Sequence, residues 1–194
     1  MSLNIVSLKD VRPSPWRNLG GVTHELVTWP KGERWVWRMS VAQIDQNGPF
    51  SCFVGVQRWF AVLDGAGVCL TLDQRTYDLR PHSAPLSFDG GTPLDCRLTD
   101  GPAQAFNLML QRDQASALMM RVNGSQTTCL KTSKIIAVYA IDTGANIQFD
   151  HEILTLPAAT LAWRHGPAGT RLQIKSKRAL LMLIEPETAQ AQQR

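Results

Sequence analysis

Nowhere in these 194 residues is there an apolar run approaching the roughly 20 residues that a membrane-spanning helix requires. The longest apolar stretches, such as 179–184, fall far below that length. The start of the chain also lacks the charged-then-apolar order of a secretory signal, so a cytoplasmic protein without a membrane partner is expected. No C-x-x-C pair occurs. Cys52, Cys69, Cys96 and Cys129 lie far apart, which speaks against a thiolate zinc site and for four half-buried thiols in a reducing compartment. The histidines are as dispersed. His24, His82, His151 and His165 never approach the spacing at which imidazoles share a metal. G-x-S-x-G is missing, and neither Ser40 nor Ser51 has a histidine at motif spacing, so nothing marks a serine nucleophile. Blocks of like charge are missing too. The net charge of +4 is scattered, and its densest basic stretch is only Arg171, Lys175, Lys177 and Arg178, which argues against nucleic acid.

What the chain does have is turns. Asn47-Gly48-Pro49, Asp64-Gly65, Asp89-Gly90-Gly91, Asp100-Gly101-Pro102, Asn123-Gly124 and Asp142-Thr143-Gly144 recur at short intervals. Between them lie brief runs rich in Val, Leu, Trp and Phe, the pattern of an all-β sandwich or barrel. Residues 35–42, 56–63, 105–111, 135–141, 147–156 and 172–184 read as strands. A short helix over 113–120, capped by Asp113, is the one helical candidate. The polar tail 185–194 is expected to fray.

Strand alternation assigns faces. Arg38, Ser40 and Ala42 share one side of their strand, opposite Trp37, Met39 and Val41. Val56, Arg58, Phe60 and Val62 share a side, so Arg58 sits in an apolar stripe. Asn107 and Met109 face away from Phe106, Leu108 and Leu110. Gly20, Gly21, Gly48, Gly65 and Gly67 read as turn residues with positive φ.

Five segments, in this order and spacing, resemble the HutD/Ves family of cupin-like proteins associated with bacterial histidine utilisation. They are Pro15-Trp16-Arg17-Asn18-Leu19-Gly20-Gly21 followed by Thr23 and Glu25; Trp37-Arg38-Met39-Ser40-Val41-Ala42; Gly48-Pro49-Phe50-Ser51-Cys52-Phe53-Val54-Gly55 ending at Arg58; Leu63-Asp64-Gly65-Ala66-Gly67; and Phe106-Asn107-Leu108-Met109 followed by Arg112. The resemblance covers roughly 15–112. It implies an all-β bicupin, two double-stranded β-helix (jelly-roll) barrels, with an N-terminal barrel over 1–122 and a smaller one over 123–194 packed closely on it. Many cupins hold a metal through two histidines one residue apart, a glutamate and a later histidine; this chain has no such set, so no metal and no cofactor are expected.

The arginines carry the functional reading. A guanidinium offers planar paired donors that suit a carboxylate. Arg38, Arg58 and Arg112 stand in the matching segments, with Ser40 and Asn107 as neutral hydrogen-bonding partners, and one of the three is expected merely to pair with Glu25 or Asp64. Trp16, Trp37 and Phe50 would supply apolar walls, and the loop holding Asn18 would cover the mouth of the first barrel as far as Glu25. The family implies a regulatory protein that binds a small carboxylate such as urocanate or N-formylglutamate. The alternative is a metal-free cupin isomerase or hydrolase using Glu25 as general base. A homodimer is compatible with either reading.

Overall fold

Short alternating segments between tight turns have one way to satisfy their backbone groups, and that is to pair laterally. The computed structural model describes residues 2–187 and shows this outcome. In chain order the strands are β1 (Asn4–Ser7), β2 (Ser14–Pro15), β3 (Gly21–Trp29), β4 (Trp37–Ile44), β5 (Gly48–Phe50), β6 (Val56–Asp64), β7 (Val68–Leu72), β8 (Arg75–Leu79), β9 (Leu86–Asp89), β10 (Leu94–Leu98) and β11 (Ala103–Gln111). They continue as β12 (Ala115–Cys129), β13 (Lys134–Ala140), β14 (Ala145–Phe149), β15 (Glu152–Leu156), β16 (Thr160–Gly166) and β17 (Arg171–Pro186). Among the described residues the only helical piece is a 3-10 turn at Leu8–Asp10. No helix is long and apolar enough to cross a membrane.

The chain divides into two compact units. One is Val11–Asp113; the other joins the residues before it to those from Gln114 onward. The division therefore falls ahead of the boundary expected at Val122, and β1 belongs with the later strands because it pairs with β16. Asn123-Gly124 reads as a turn in the sequence. It is instead an irregularity inside β12, where the register against β17 shifts between Val122 and Gly124.

The unit Val11–Asp113 is built of a six-stranded sheet, in the order β2-β3-β4-β11-β6-β9, and a four-stranded sheet, in the order β5-β10-β7-β8. Both contribute to one core, with Ala42, Ile44, Phe60, Val62, Ala103 and Ala105 from the first sheet and Val68, Leu70, Leu94 and Cys96 from the second. Cys96 is fully buried there, and burial pushes its thiol up to about 12, so it behaves as a small apolar residue. The four thiols are all free, but they are not uniformly half-buried: Cys52 and Cys129 are exposed.

The other unit is a single seven-stranded sheet, ordered β1-β16-β13-β17-β14-β15 with β12 along β17. Its long strand β17 pairs with β14 through its first half and β13 through its second, and with β12 along its length. The curl brings Ile136, Val138, Ile147, Phe149, Leu172, Ile174 and Leu181 into one apolar core. Three expectations are corrected here. The stretch 113–120 is a turn through Gln114 and strand from Ala115, since Ala115, Met119 and Val122 mimic a helical face but the ladder to β17 decides the conformation. The stretch 147–156 is two strands joined by a hairpin at Asp150, whose φ is +52°. Glu185 belongs to β17, paired with Thr132 and Lys134, and only 188–194 of the expected fraying tail lies outside the described residues.

Candidate functional site

Register places the polar residues. In the three central strands β4, β11 and β6, neighbouring residues form rows across the sheet. Arg38, Met109 and Arg58 make one row. Ser40, Asn107 and Phe60 make the next, and Ala42, Ala105 and Val62 the one after. All nine lie at alternate positions and so face the same side. Row by row, that face passes from charged to neutral polar to apolar, and the last row merges into the core. A cavity of about 580 Å³ opens above the first two rows and reaches Ala42 of the third. The neighbouring strand β3 adds Thr23 and Glu25, with Glu25 opposite Ser40. Beyond β5, Ser51 and Phe53 line the other side with Pro49 and Phe50.

The loop 16–20 forms a wall. Trp16 donates its indole N–H to Thr23 Oγ1 at 2.8 Å and meets Phe50 edge-on, ring centres 5.7 Å apart. Asn18 Oδ1 accepts from the Gly20 amide at 3.1 Å, closing the loop on itself. Gly21 is required by proximity rather than by φ: a Cβ there would lie 2.2 Å from the Gln43 carbonyl oxygen. The positive φ of this loop belongs to Leu19, at +55°. Glu25 comes from strand β3, not from the loop that was expected to reach it.

Arg58 is the most unusual group. It is 6% exposed. Its Nη2 donates to Asn107 Oδ1 at 3.1 Å and its Nη1 to the Ser51 carbonyl at 3.4 Å, while Nε has no acceptor. Its guanidinium carbon lies 5.1–5.7 Å from the ring centres of Phe50, Phe53 and Phe88. Gly90 packs against its stem, since a Cβ at Gly90 would sit 3.1 Å from Arg58 Cδ. Among the described residues no carboxylate pairs with it. Burial, then the charge of Arg38, pushes its pKa down to about 10, with Cys52 opposing; it remains a cation at neutral pH. Arg38 is also depressed by burial, against the pull of Glu25. It donates to Met109 Sδ at 3.0 Å, and its Nη1 stands 3.7 Å from Glu25 Oε2, too far for a hydrogen bond.

Of the residues expected to form the site, Trp16, Asn18, Glu25, Arg38, Ser40, Phe50, Arg58 and Asn107 all line this cavity. Trp37, the third expected wall, does not: it alternates with Arg38 on β4 and is buried on the opposite face. Arg112 does not either. It lies past the end of β11, and its guanidinium pairs with Asp89 at 2.6 Å. The expected internal pairing with Glu25 falls to Arg38. Thr23, Ser51, Phe53 and Met109 also line the cavity but were not singled out as site residues. Met109 and Thr23 share strand parity with Asn107 and Glu25, a signal present in the sequence; nothing local points to Ser51 or Phe53.

The cavity does not fit the metal that the cupin architecture raises. Glu25 is its only carboxylate among the described residues, it holds no histidine or cysteine, and two guanidinium groups repel a dication. No three His, Cys, Asp or Glu side chains converge elsewhere among the described residues.

Residues 8–182 match the family model described as HutD, well beyond the 15–112 that the motifs span. Protein Ves of Cronobacter sakazakii is 32% identical over 167 residues, covering 84% of this chain and 90% of that one. An uncharacterised 21.2 kDa Pseudomonas putida protein in the hutC 3' region is 33% identical over 138 residues, covering 69% and 72%. The solved structure of HutD from Pseudomonas fluorescens SBW25 (formate condition) superposes with a TM-score of 0.84 at 28% identity, over 96% of this chain and all of that one. The oxalate decarboxylase of Lactobacillus farciminis, in a formate complex, shares the cupin-like fold alone, with a TM-score of 0.65 at 9% identity over 95% and 86%.

Proposed function

The chain belongs to the HutD family, and from that premise we propose that it binds a small carboxylate metabolite in the cavity of the unit Val11–Asp113 and acts as a regulatory sensor in histidine utilisation. Arg58 carries this reading. A buried guanidinium held only by neutral groups, one row-mate away from a second guanidinium, is costly while nothing pairs with it. A carboxylate between the two removes the repulsion and takes up their planar donors. The Trp16–Phe50 pair gives the body of such an acid an apolar wall. The hutC neighbourhood of the Pseudomonas putida relative supports the pathway, and urocanate and N-formylglutamate are the candidates that the family offers. Each of the two compact units is read as one double-stranded β-helix, the whole as a bicupin working in the cytoplasm.

Glu25 as a general base has no observation in its favour. Its side chain is 52% exposed and lacks the burial that tunes a catalytic carboxylate.

Calorimetric titration of the protein with urocanate and with N-formylglutamate tests the reading. At least one acid binds the wild type, without turnover, and Arg58→Met loses that binding. Heat from neither acid, or wild-type affinity in Arg58→Met, refutes it.

A further inference from the structure

The unit Val11–Asp113 has a second opening, which shares no lining residue with the first. β8 ends the four-stranded sheet and β9 ends the six-stranded sheet. Directly paired residues share a face. Tyr77 and Arg75 pair with Leu70 and Leu72, so both lie on the core side of β8. Leu86 and Phe88 pair with Phe60 and Arg58, and lie on the core side of β9. The inner face of β8 thus passes from buried Leu79 to half-buried Tyr77 to exposed Arg75 at the hairpin tip. A cavity of about 400 Å³ is lined from both of these edges.

Three charged side chains line it, Asp73, Arg75 and Asp89. Asp89 is already engaged, by the Gly91 amide at 2.8 Å and by Arg112, which lies outside this lining. What remains is one free charge of each sign. Only Gln74 separates Asp73 from Arg75 in the chain, yet the two form no ion pair, and neither has another partner among the described residues. The Tyr77 hydroxyl is likewise without a hydrogen bond among the described residues. The turn between the charges is made at a cost. Asp73 and Gln74 have φ of +44° and +65°, so this two-residue hairpin takes positive φ at both positions without a glycine. Behind the charges, Tyr77, Leu86 and Phe88 are half-buried and pack on the core, an apolar floor beneath a polar rim.

We propose that this cavity binds a free α-amino acid with an apolar side chain. Asp73 takes the ammonium, Arg75 takes the carboxylate, and Tyr77, Leu86 and Phe88 cover the side chain. Opposite charges that are held apart rather than paired match a zwitterion, which satisfies both and adds no net charge. An amine or an acid alone would satisfy one and leave the other facing nothing of opposite sign. The proposal is independent of the carboxylate reading of the first cavity, because it uses other residues on other strands.

Titration followed by amide NMR tests it, since that readout also locates the ligand. The probe is L-phenylalanine, compared with 2-phenylethylamine and 3-phenylpropionate, which each lack one of its charges. L-Phenylalanine should move the amides of residues 72–77 and 86–92 saturably at millimolar concentration. Contacts to exposed charges are screened, so each analogue should bind there about fivefold more weakly. Asp73→Asn and Arg75→Gln, both at exposed positions, should weaken L-phenylalanine by a similar factor without lowering the melting temperature. The proposal is overturned if those amides show no saturable shift, if either analogue binds there as tightly as the amino acid, or if both variants keep wild-type affinity. Shifts confined to the surroundings of Arg38 and Arg58 would put the amino acid in the first cavity and overturn it equally.

Discussion

Ser176 and Arg58 are buried to nearly the same degree, 7% and 6% exposed, in different units of the chain. Ser176 donates to the Gly144 carbonyl at 2.8 Å and so ties one turn to a strand. Thr160 and Thr170, the other buried polar side chains of that unit, likewise donate to the backbone carbonyls of Ala158 and Pro167. Their polarity is consumed locally, and the curled sheet closes over aliphatic and aromatic side chains. Arg58, with Ser40 and Asn107, stands instead in two rows above an apolar floor, and keeps a donor without an acceptor. Burial alone therefore does not distinguish the two units. What a buried polar group is bonded to does: one unit spends such groups on its own turns, the other holds them toward a cavity.

Several substitutions break or sharpen that contrast. The largest effect on stability is expected in the filled unit. Ile147→Ala empties space in a core where Ile147 is fully buried, and should cost about 2–5 kcal/mol in denaturant unfolding while the folded fraction binds acids normally. Next comes Arg58→Met. Two charge-assisted hydrogen bonds are worth about 3 kcal/mol, so carboxylate affinity should fall by about a hundredfold. Melting should not fall with it, because an unpaired buried charge is removed; a melting temperature several degrees lower would mean that Arg58 is structural. In the wild type, a bound acid at a hundred times its Kd should add about 2.7 kcal/mol, a rise of roughly 5–10 °C that the variant lacks.

Asn107→Leu should do both things at once. It removes the Oδ1 that holds Arg58, so it should cost about 1–3 kcal/mol of stability and weaken binding. Ser176→Ala, its counterpart in the other unit, should cost only about 1 kcal/mol and leave affinity unchanged. Loss of affinity in Ser176→Ala would erase the distinction between the units.

The smallest effect is at Arg112, whose half-exposed pair with Asp89 is screened by solvent and should leave denaturant unfolding nearly unchanged when broken. Arg112→Ala should bind acids as the wild type does. The amide of Gly91 first, and then the Arg112 side chain, hold the Asp89 carboxyl below its ordinary 3.8. Its stabilising contribution is therefore present above about pH 4 and lost as pH falls through the lower folded-state value. Asp89→Asn should flatten the acid limb of a melting-temperature profile.

Much of the site can be read from strand parity. Arg38 with Ser40, Arg58 with Phe60, and Asn107 with Met109 each share a face in the sequence alone, and the structure keeps every pair together. Parity cannot say which residue of one strand stands beside which of the next, so the Arg38–Met109–Arg58 row had no local signature. Arg112 shows where parity stops: it follows the last ladder residue, Gln111, and the ion pair with Asp89 decides its direction. The misread stretch at 113–120 has the same origin. Ala115, Met119 and Val122 recur at helical spacing, but a partner some sixty residues away fixes them as strand. The join of β1 to β16 is still more distant, and no composition shift announces it.

Because the face above the core changes character every second residue, recognition and folding are written on different storeys of the same three strands. Substitutions at 38, 58 and 109 address the top storey, those at 40 and 107 the middle one, and 42, 62 and 105 belong to the foundation. A lineage, or an engineer, can exchange the upper storeys for another ligand without reopening the lower one. Mutational drift in this scaffold should therefore change what is bound well before it changes whether the chain folds.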